Sequence, residues 1–120
     1  MKKVLVLLAL AIILTSGCIT TDSAELRLPI GALPPGGEAA VTRCLEICKQ
    51  KLSRRTDLSV GPCLANQVDT DWVCDVVHSP RQEVDNLPEN QCSAWREASE
   101  QGRTMHFVEV DLECNFIRAV

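Results

Sequence analysis

Tyrosine is absent from this 120-residue chain, and two tryptophans and two phenylalanines are its only aromatic residues. So few rings leave little for a base-stacking platform or a broad aromatic hot spot. Positive charge is also in short supply, with 12 Lys and Arg against 16 Asp and Glu and a net charge of −4. A nucleic-acid binder carries a basic stripe, so nucleic acid is set aside as a partner. The sequence has no Cys-x₂-Cys, no Gly-x-Ser-x-Gly, no phosphate-cradling glycine loop and no EF-hand loop. Those absences remove a thioredoxin-type redox site, a nucleophile elbow, a P-loop and a calcium loop. The longest apolar run is the eleven residues from Val4 to Leu14, against the about 20 needed to cross a bilayer.

What is present begins with that run. Lys2 and Lys3 precede it, and Thr15, Ser16, Gly17 and Cys18 follow it. A charged start, a short apolar segment and small residues are the three parts of a secretory signal, so residues 1–17 are expected to be a signal peptide. Leu14-Thr15-Ser16-Gly17-Cys18 resembles a prokaryotic lipobox, in which a small residue precedes the cysteine that becomes the lipidated N-terminus. Thr15 departs from the commoner Leu, Val or Ile, and Thr-Ser-Gly-Cys-Ile is similar to archaeal lipoproteins. The resemblance covers this segment alone. It implies lipid on Cys18, a membrane as partner and a place on the extracytoplasmic side of the cell membrane. Each buried CH₂ contributes about 0.8 kcal/mol, so two or more chains hold a protein stably where one is marginal. Without residues 1–17 the chain keeps ten bases against sixteen acids, a net −6. Anionic headgroups would repel it, which leaves attachment to the lipid.

Residues 18–38 are expected to be the lipidated cysteine and a flexible linker, since Pro29, Pro34, Pro35, Gly31, Gly36 and Gly37 interrupt any regular structure there. A coil of that length reaches roughly 25 Å. Residues 39–120 are expected to form one small disulfide-rich domain. Seven cysteines is an odd number, and assigning Cys18 to lipid leaves Cys44, Cys48, Cys63, Cys74, Cys92 and Cys114. In an oxidising compartment that density reads as a disulfide framework, and three bridges at about 2–4 kcal/mol each would dominate the stability of so small a core. Zinc fits poorly without a repeated close cysteine pair.

From Glu38 to about Arg55, Val41, Cys44, Leu45, Cys48 and Leu52 recur on one helical face. Cys44 and Cys48 stand one turn apart, about 5–6 Å between Cβ atoms, too far for the about 3.8 Å of a disulfide. Each is therefore expected to bond elsewhere. A strand is expected over Asp71–His78, with Trp72, Cys74, Val76 and His78 on one face, and an earlier short strand over Leu58–Leu64. Ser79 to Gln91 reads as a polar loop, and Pro88 suits the first turn of a second helix running to about Gln101 and stopped by Gly102. Thr104 to Val120 alternates, with Val108, Val110, Leu112, Cys114 and Phe116 opposite Glu109, Asp111, Glu113 and Asn115, and is too long to run unbroken past Asp111–Glu113. The second set reads as a solvated face of an antiparallel sheet covered on one side.

The fold class expected is α+β: a disulfide-stabilised domain with an N-terminal amphipathic helix on a short antiparallel sheet and a second short helix. The arrangement resembles small cystine-stapled α/β domains whose helical Cys-x₃-Cys pins onto strands. It departs from the defensin-like pattern in lacking a strand Cys-x-Cys. With a cysteine on the inner face of each strand candidate, the expected wiring joins Cys44 and Cys48 to Cys74 and Cys114 in either order and leaves Cys63 with Cys92.

Two histidines are the only neutral-pH bases. His78 and His106 are read as structural residues at strand ends. The alternative is a two-histidine catalytic or metal site with Asp75, Glu109 or Asp111 as partners. Arg81, Asp85, Asn86, Asn90 and Gln91 form a candidate recognition loop, since a thirteen-residue loop is long for a stapled domain; the competing role is fixing the path from strand to helix. The reading that follows is a non-catalytic surface or envelope module, with no cofactor, that binds an extracytoplasmic protein or small molecule. The alternatives are a small secreted enzyme or metal-binding protein using the histidines, and a proteinase inhibitor presenting Arg81.

Overall fold

A computed structural model describes residues 33–120. The expected signal peptide, Cys18 and the first part of the expected linker lie outside the described residues. Two helices and four strands follow in the order α1 (Gly37–Ser53), β1 (Cys63–Asp69), β2 (Trp72–Val76), a 3₁₀ turn (Glu83–Asn86), α2 (Ser93–Glu100), β3 (His106–Val110) and β4 (Phe116–Ala119). The strands make one sheet in the order β1-β2-β3-β4. The class is α+β, stapled by three disulfides.

The sheet is mixed, where an antiparallel one was expected. β2 and β3 run parallel in unbroken register from Trp72 against His106 to Val76 against Val110, while β1 and β4 flank them antiparallel. Parallel neighbours need a crossover rather than a hairpin, and the chain between them carries α2 over one face of the sheet. α1 packs against all four strands on the other face. β2 is consequently buried along its whole length. The expectation that Glu109 lies on a solvated face fails for the same reason, for Glu109 is only 5% exposed.

α1 lays Ala40, Val41, Cys44 and Cys48 on the sheet. Cys44 bonds Cys74 on β2, Cys48 bonds Cys114 before β4, and Cys63 bonds Cys92 at the start of α2. The helix has a left-handed glycine, Gly36 (φ 81°), before its first turn. Leu33 packs on the core, and the fully buried Trp72 donates from Nε1 to the carbonyl of Pro35 at 2.9 Å. Residues 33–38, read as the end of the linker, thus join the folded unit. Arg43 ties α1 to the end of β1 through Val68 O and Asp69 Oδ2 at 2.9 and 3.0 Å.

Two further expectations shift. The first strand begins at Cys63 and runs to Asp69, while Ser59 and Val60 form a turn closed by Gly61 (φ 66°). Its polar Asn66, Gln67 and Asp69 are tolerated because β1 is an edge strand. The second helix starts at Ser93, five residues beyond Pro88, because the chain first spends a 3₁₀ turn and further turns reaching Cys92. The bend near Asp111 is present: its carboxylate accepts from the N–H groups of Glu113 and Asn115 at 3.0 and 2.8 Å and closes the β3–β4 turn.

Candidate functional site

Parallel register sets Asp75 of β2 beside Glu109 of β3, and antiparallel register sets Arg118 of β4 on the other side of Glu109. Strand alternation turns all three to the face that α2 covers. There they line a cavity of about 120 Å³ together with Val73, Phe107, Arg81, Trp95 and Cys92. Trp95 of α2 meets Phe107 of β3 edge-on, with ring centroids 6.2 Å apart. The Cys63–Cys92 disulfide contributes Cys92 to the wall.

The charges in this cavity are unequally served. Glu109 accepts from Arg81 Nη1 at 2.6 Å through Oε1 and from Arg118 Nε through Oε2. The Arg118 guanidinium also lies 5.0 Å above the Phe107 ring, and the Glu109 contact raises its already high pKa further. Asp75 receives neither cation, and its Oδ1 is buried without a hydrogen-bond partner. Burial, reinforced by the negative charges of Glu109 and Asp85 and only partly opposed by Arg81, pushes the Asp75 carboxyl up to about 7. Such a group holds a proton near neutrality and gives it up in exchange for a better partner.

The loop residues singled out in the sequence divide between two tasks. Asp85, 1% exposed, is an internal anchor: its carboxylate accepts from the N–H groups of Gln82 and His78 at 2.8 and 3.1 Å and pairs with His78 Nδ1 at 2.8 Å. Burial pushes its pKa upward, but these hydrogen bonds and the His78 charge outweigh it and hold the carboxyl below its usual range. Asn86 accepts from Arg81 Nε, and Asn90 donates to Val84 O, both at 2.9 Å. These three residues hold the loop's path. Arg81 and Gln91 instead line the cavity.

The two histidines do not meet. His106 pairs with Trp72 at one end of the parallel strands and its ring lies 4.8 Å from the indole. His78 lies beyond Val76, at the other end, where it is held by Asp85. About 13 Å of strand separates the two ends, so no single ligand or metal ion bridges them. His78 and His106 therefore do not form a common site.

The sequence offers Asp75 and Glu109 only as partners for the histidines, and it does not bring Arg118, Trp95 or Phe107 to them. A signal was available: an acid inside Trp72-Val73-Cys74-Asp75-Val76-Val77, and another inside His106-Phe107-Val108-Glu109-Val110, each interrupts an apolar run of buried-strand type. No family model, curated protein or solved structure matches the chain.

Proposed function

We propose that this protein is a lipid-anchored extracytoplasmic module of the cell membrane, non-catalytic, that captures a small ligand in the cavity between α2 and the β2–β3 pair. The carrying observation is the cysteine pairing. Three bridges use Cys44, Cys74, Cys48, Cys114, Cys63 and Cys92 and leave Cys18 with no cysteine in the chain to join. Cys18 sits where a lipobox would place the acylated residue, and a three-bridge domain belongs in an oxidising compartment. The cavity supports the binding reading, since it holds an acid with an unmatched oxygen, Asp75, beside apolar side chains while its neighbour Glu109 is occupied by two arginines. Arg81 is turned inward onto Glu109 and the loop, which does not suit a proteinase-inhibitor contact residue.

Intact-mass spectrometry of the protein extracted from its native membrane tests this reading. The expected mass lacks residues 1–17, carries added lipid and shows the six-hydrogen deficit of three disulfides. A water-soluble, unprocessed chain with reduced thiols would overturn it.

A further inference from the structure

We propose that the cavity is a binding site for a small organic cation, a primary ammonium set against Asp75 with an apolar body lying against the wall that Trp95 and Phe107 form. This inference rests on reading the domain as a binding module and names what it binds.

The first argument is an imbalance of donors and acceptors. Asp75 is 9% exposed, and its Oδ1 has no hydrogen-bond partner. Gln91 and two arginines share the lining, and none of them is hydrogen-bonded to that oxygen. Arg81 gives Nε to Asn86 Oδ1, Nη1 to Glu109 Oε1 and Nη2 to Asp85 O. Arg118 gives Nε to Glu109 Oε2 and lies over Phe107. A buried acceptor left unmatched is unfavourable, and a charged donor is its strongest match. The ligand therefore brings the donor.

The second argument is the wall. Val73, Trp95, Phe107 and Cys92 give an apolar lining for a hydrocarbon body. The cavity is about 120 Å³, a little below the about 150 Å³ that accommodates benzene in an engineered protein cavity. That space suits a body of about four to six carbons.

The third argument is charge. Glu109, Arg81 and Arg118 sum to one positive charge, and Asp75 adds a proton or loses it. An ammonium entering as that proton leaves keeps the site's charge unchanged. An anionic ligand would bring no donor to the unmatched Asp75 Oδ1. Because the cation exchanges for a proton, its affinity rises with pH. The charged groups facing Asp75 are Glu109 from β3, Arg118 from β4, and Arg81 and Asp85 from the connecting loop, with His78 behind Asp85; α2 faces it with the uncharged Trp95.

The test is titration calorimetry of isobutylamine, isobutanol and isobutyrate, one body with three heads, into the oxidised full chain. Isobutylamine is expected to bind at least about tenfold more tightly than isobutanol at pH 8, and about tenfold more tightly at pH 8 than at pH 6 as Asp75 loses its proton. Isobutyrate is expected to give no heat. Asp75→Asn should abolish the pH dependence and lower isobutylamine affinity at least about tenfold. Isobutylamine no tighter than isobutanol, isobutyrate binding in its place, or unchanged affinity in D75N overturns the proposal. If D75N does not fold, the head-group series and the pH dependence of the unaltered protein still decide. A lipidated protein without amine binding loses this site and keeps the tether; a soluble, unlipidated protein that binds isobutylamine does the reverse.

Discussion

Asp75 and Glu109 are register partners across the parallel pair, both buried on the same face, yet both neighbouring arginines reach Glu109. One carboxylate is neutralised by two cations, while the other is left with an unpartnered oxygen. An unpaired buried charge is expensive, and the group responds by holding its proton. The fold therefore carries a buried carboxylic acid whose pKa is pushed up to about 7.

The first prediction concerns that proton. A folded-state pKa raised to about 7 means the native state binds the proton more tightly than the unfolded chain does. The resulting stability is fully present below the unfolded value of about 4 and is lost as pH rises through about 7, with about 4 kcal/mol as an upper bound. Asp75→Asn should melt close to the parent at pH 4 and several degrees higher at pH 8. Thermal melts by circular dichroism at the two pH values measure this, and a variant that is less stable at pH 8 would contradict it.

Asp85 should behave with the opposite sign. Its carboxyl is held below the usual range by hydrogen bonds that outweigh burial, so its contribution is present above the unfolded value and is lost as pH falls through the lower folded one. Asp85→Ala removes the acceptor of two backbone N–H groups and of the His78 ring. It is expected to destabilise by about 2–3 kcal/mol at pH 7 and to flatten the acid limb of the stability profile below about pH 4. Urea unfolding across that range reads both effects.

Two glycines separate strain from collision. Gly61 and Gly102 both have left-handed backbone, at φ 66° and 65°. A Cβ on Gly102 would meet nothing, whereas one on Gly61 would run into the Asp85 carboxylate and the Val76 carbonyl. Gly102→Ala should cost about 1–2 kcal/mol from conformation alone. Gly61→Ala should cost clearly more and shift His78, whose ring resonances in an NMR spectrum report on Asp85.

The bridges should rank by the chain they close. Cys48–Cys114 spans 66 residues and Cys63–Cys92 spans 29. Loop entropy puts their removal at about 4.4 and about 3.6 kcal/mol. The first pair is also buried between α1 and the β3–β4 turn. The double variant Cys48→Ala/Cys114→Ala should thus lose more stability than Cys63→Ala/Cys92→Ala, by chemical denaturation under non-reducing conditions. Equal losses would show that the entropy of the unfolded chain does not set the order.

The long helix was readable because Val41, Cys44, Leu45 and Cys48 recur at helical spacing within a single element, though Leu52, expected on the same face, is exposed near the helix end. The partners of Cys44 and Cys48 followed as a set, since one helical turn keeps those sulfurs apart and strand parity offered Cys74 and Cys114. Their order needed the tertiary arrangement: Cys44 lies over β2 and Cys48 over the β3–β4 turn. The polar edge strand β1 was harder to read, because an edge strand requires little apolar alternation.

The amino-acid sequence by itself determined the alternation of the strands, the helical face and which side chains were available to bear charge. Whether the faces of the sheet met water was a matter of connection. Strands β2 and β3 run parallel, so the chain between them had to cross the sheet, and it brought α2 over Asp75 and Glu109. Arg81 and Arg118 lie far apart in sequence, one in the crossover and one on the last strand, and both converge on Glu109. Burial and pairing are properties of what comes to lie beside a residue, so the tertiary structure alone decided which of two carboxylates became the unsatisfied one.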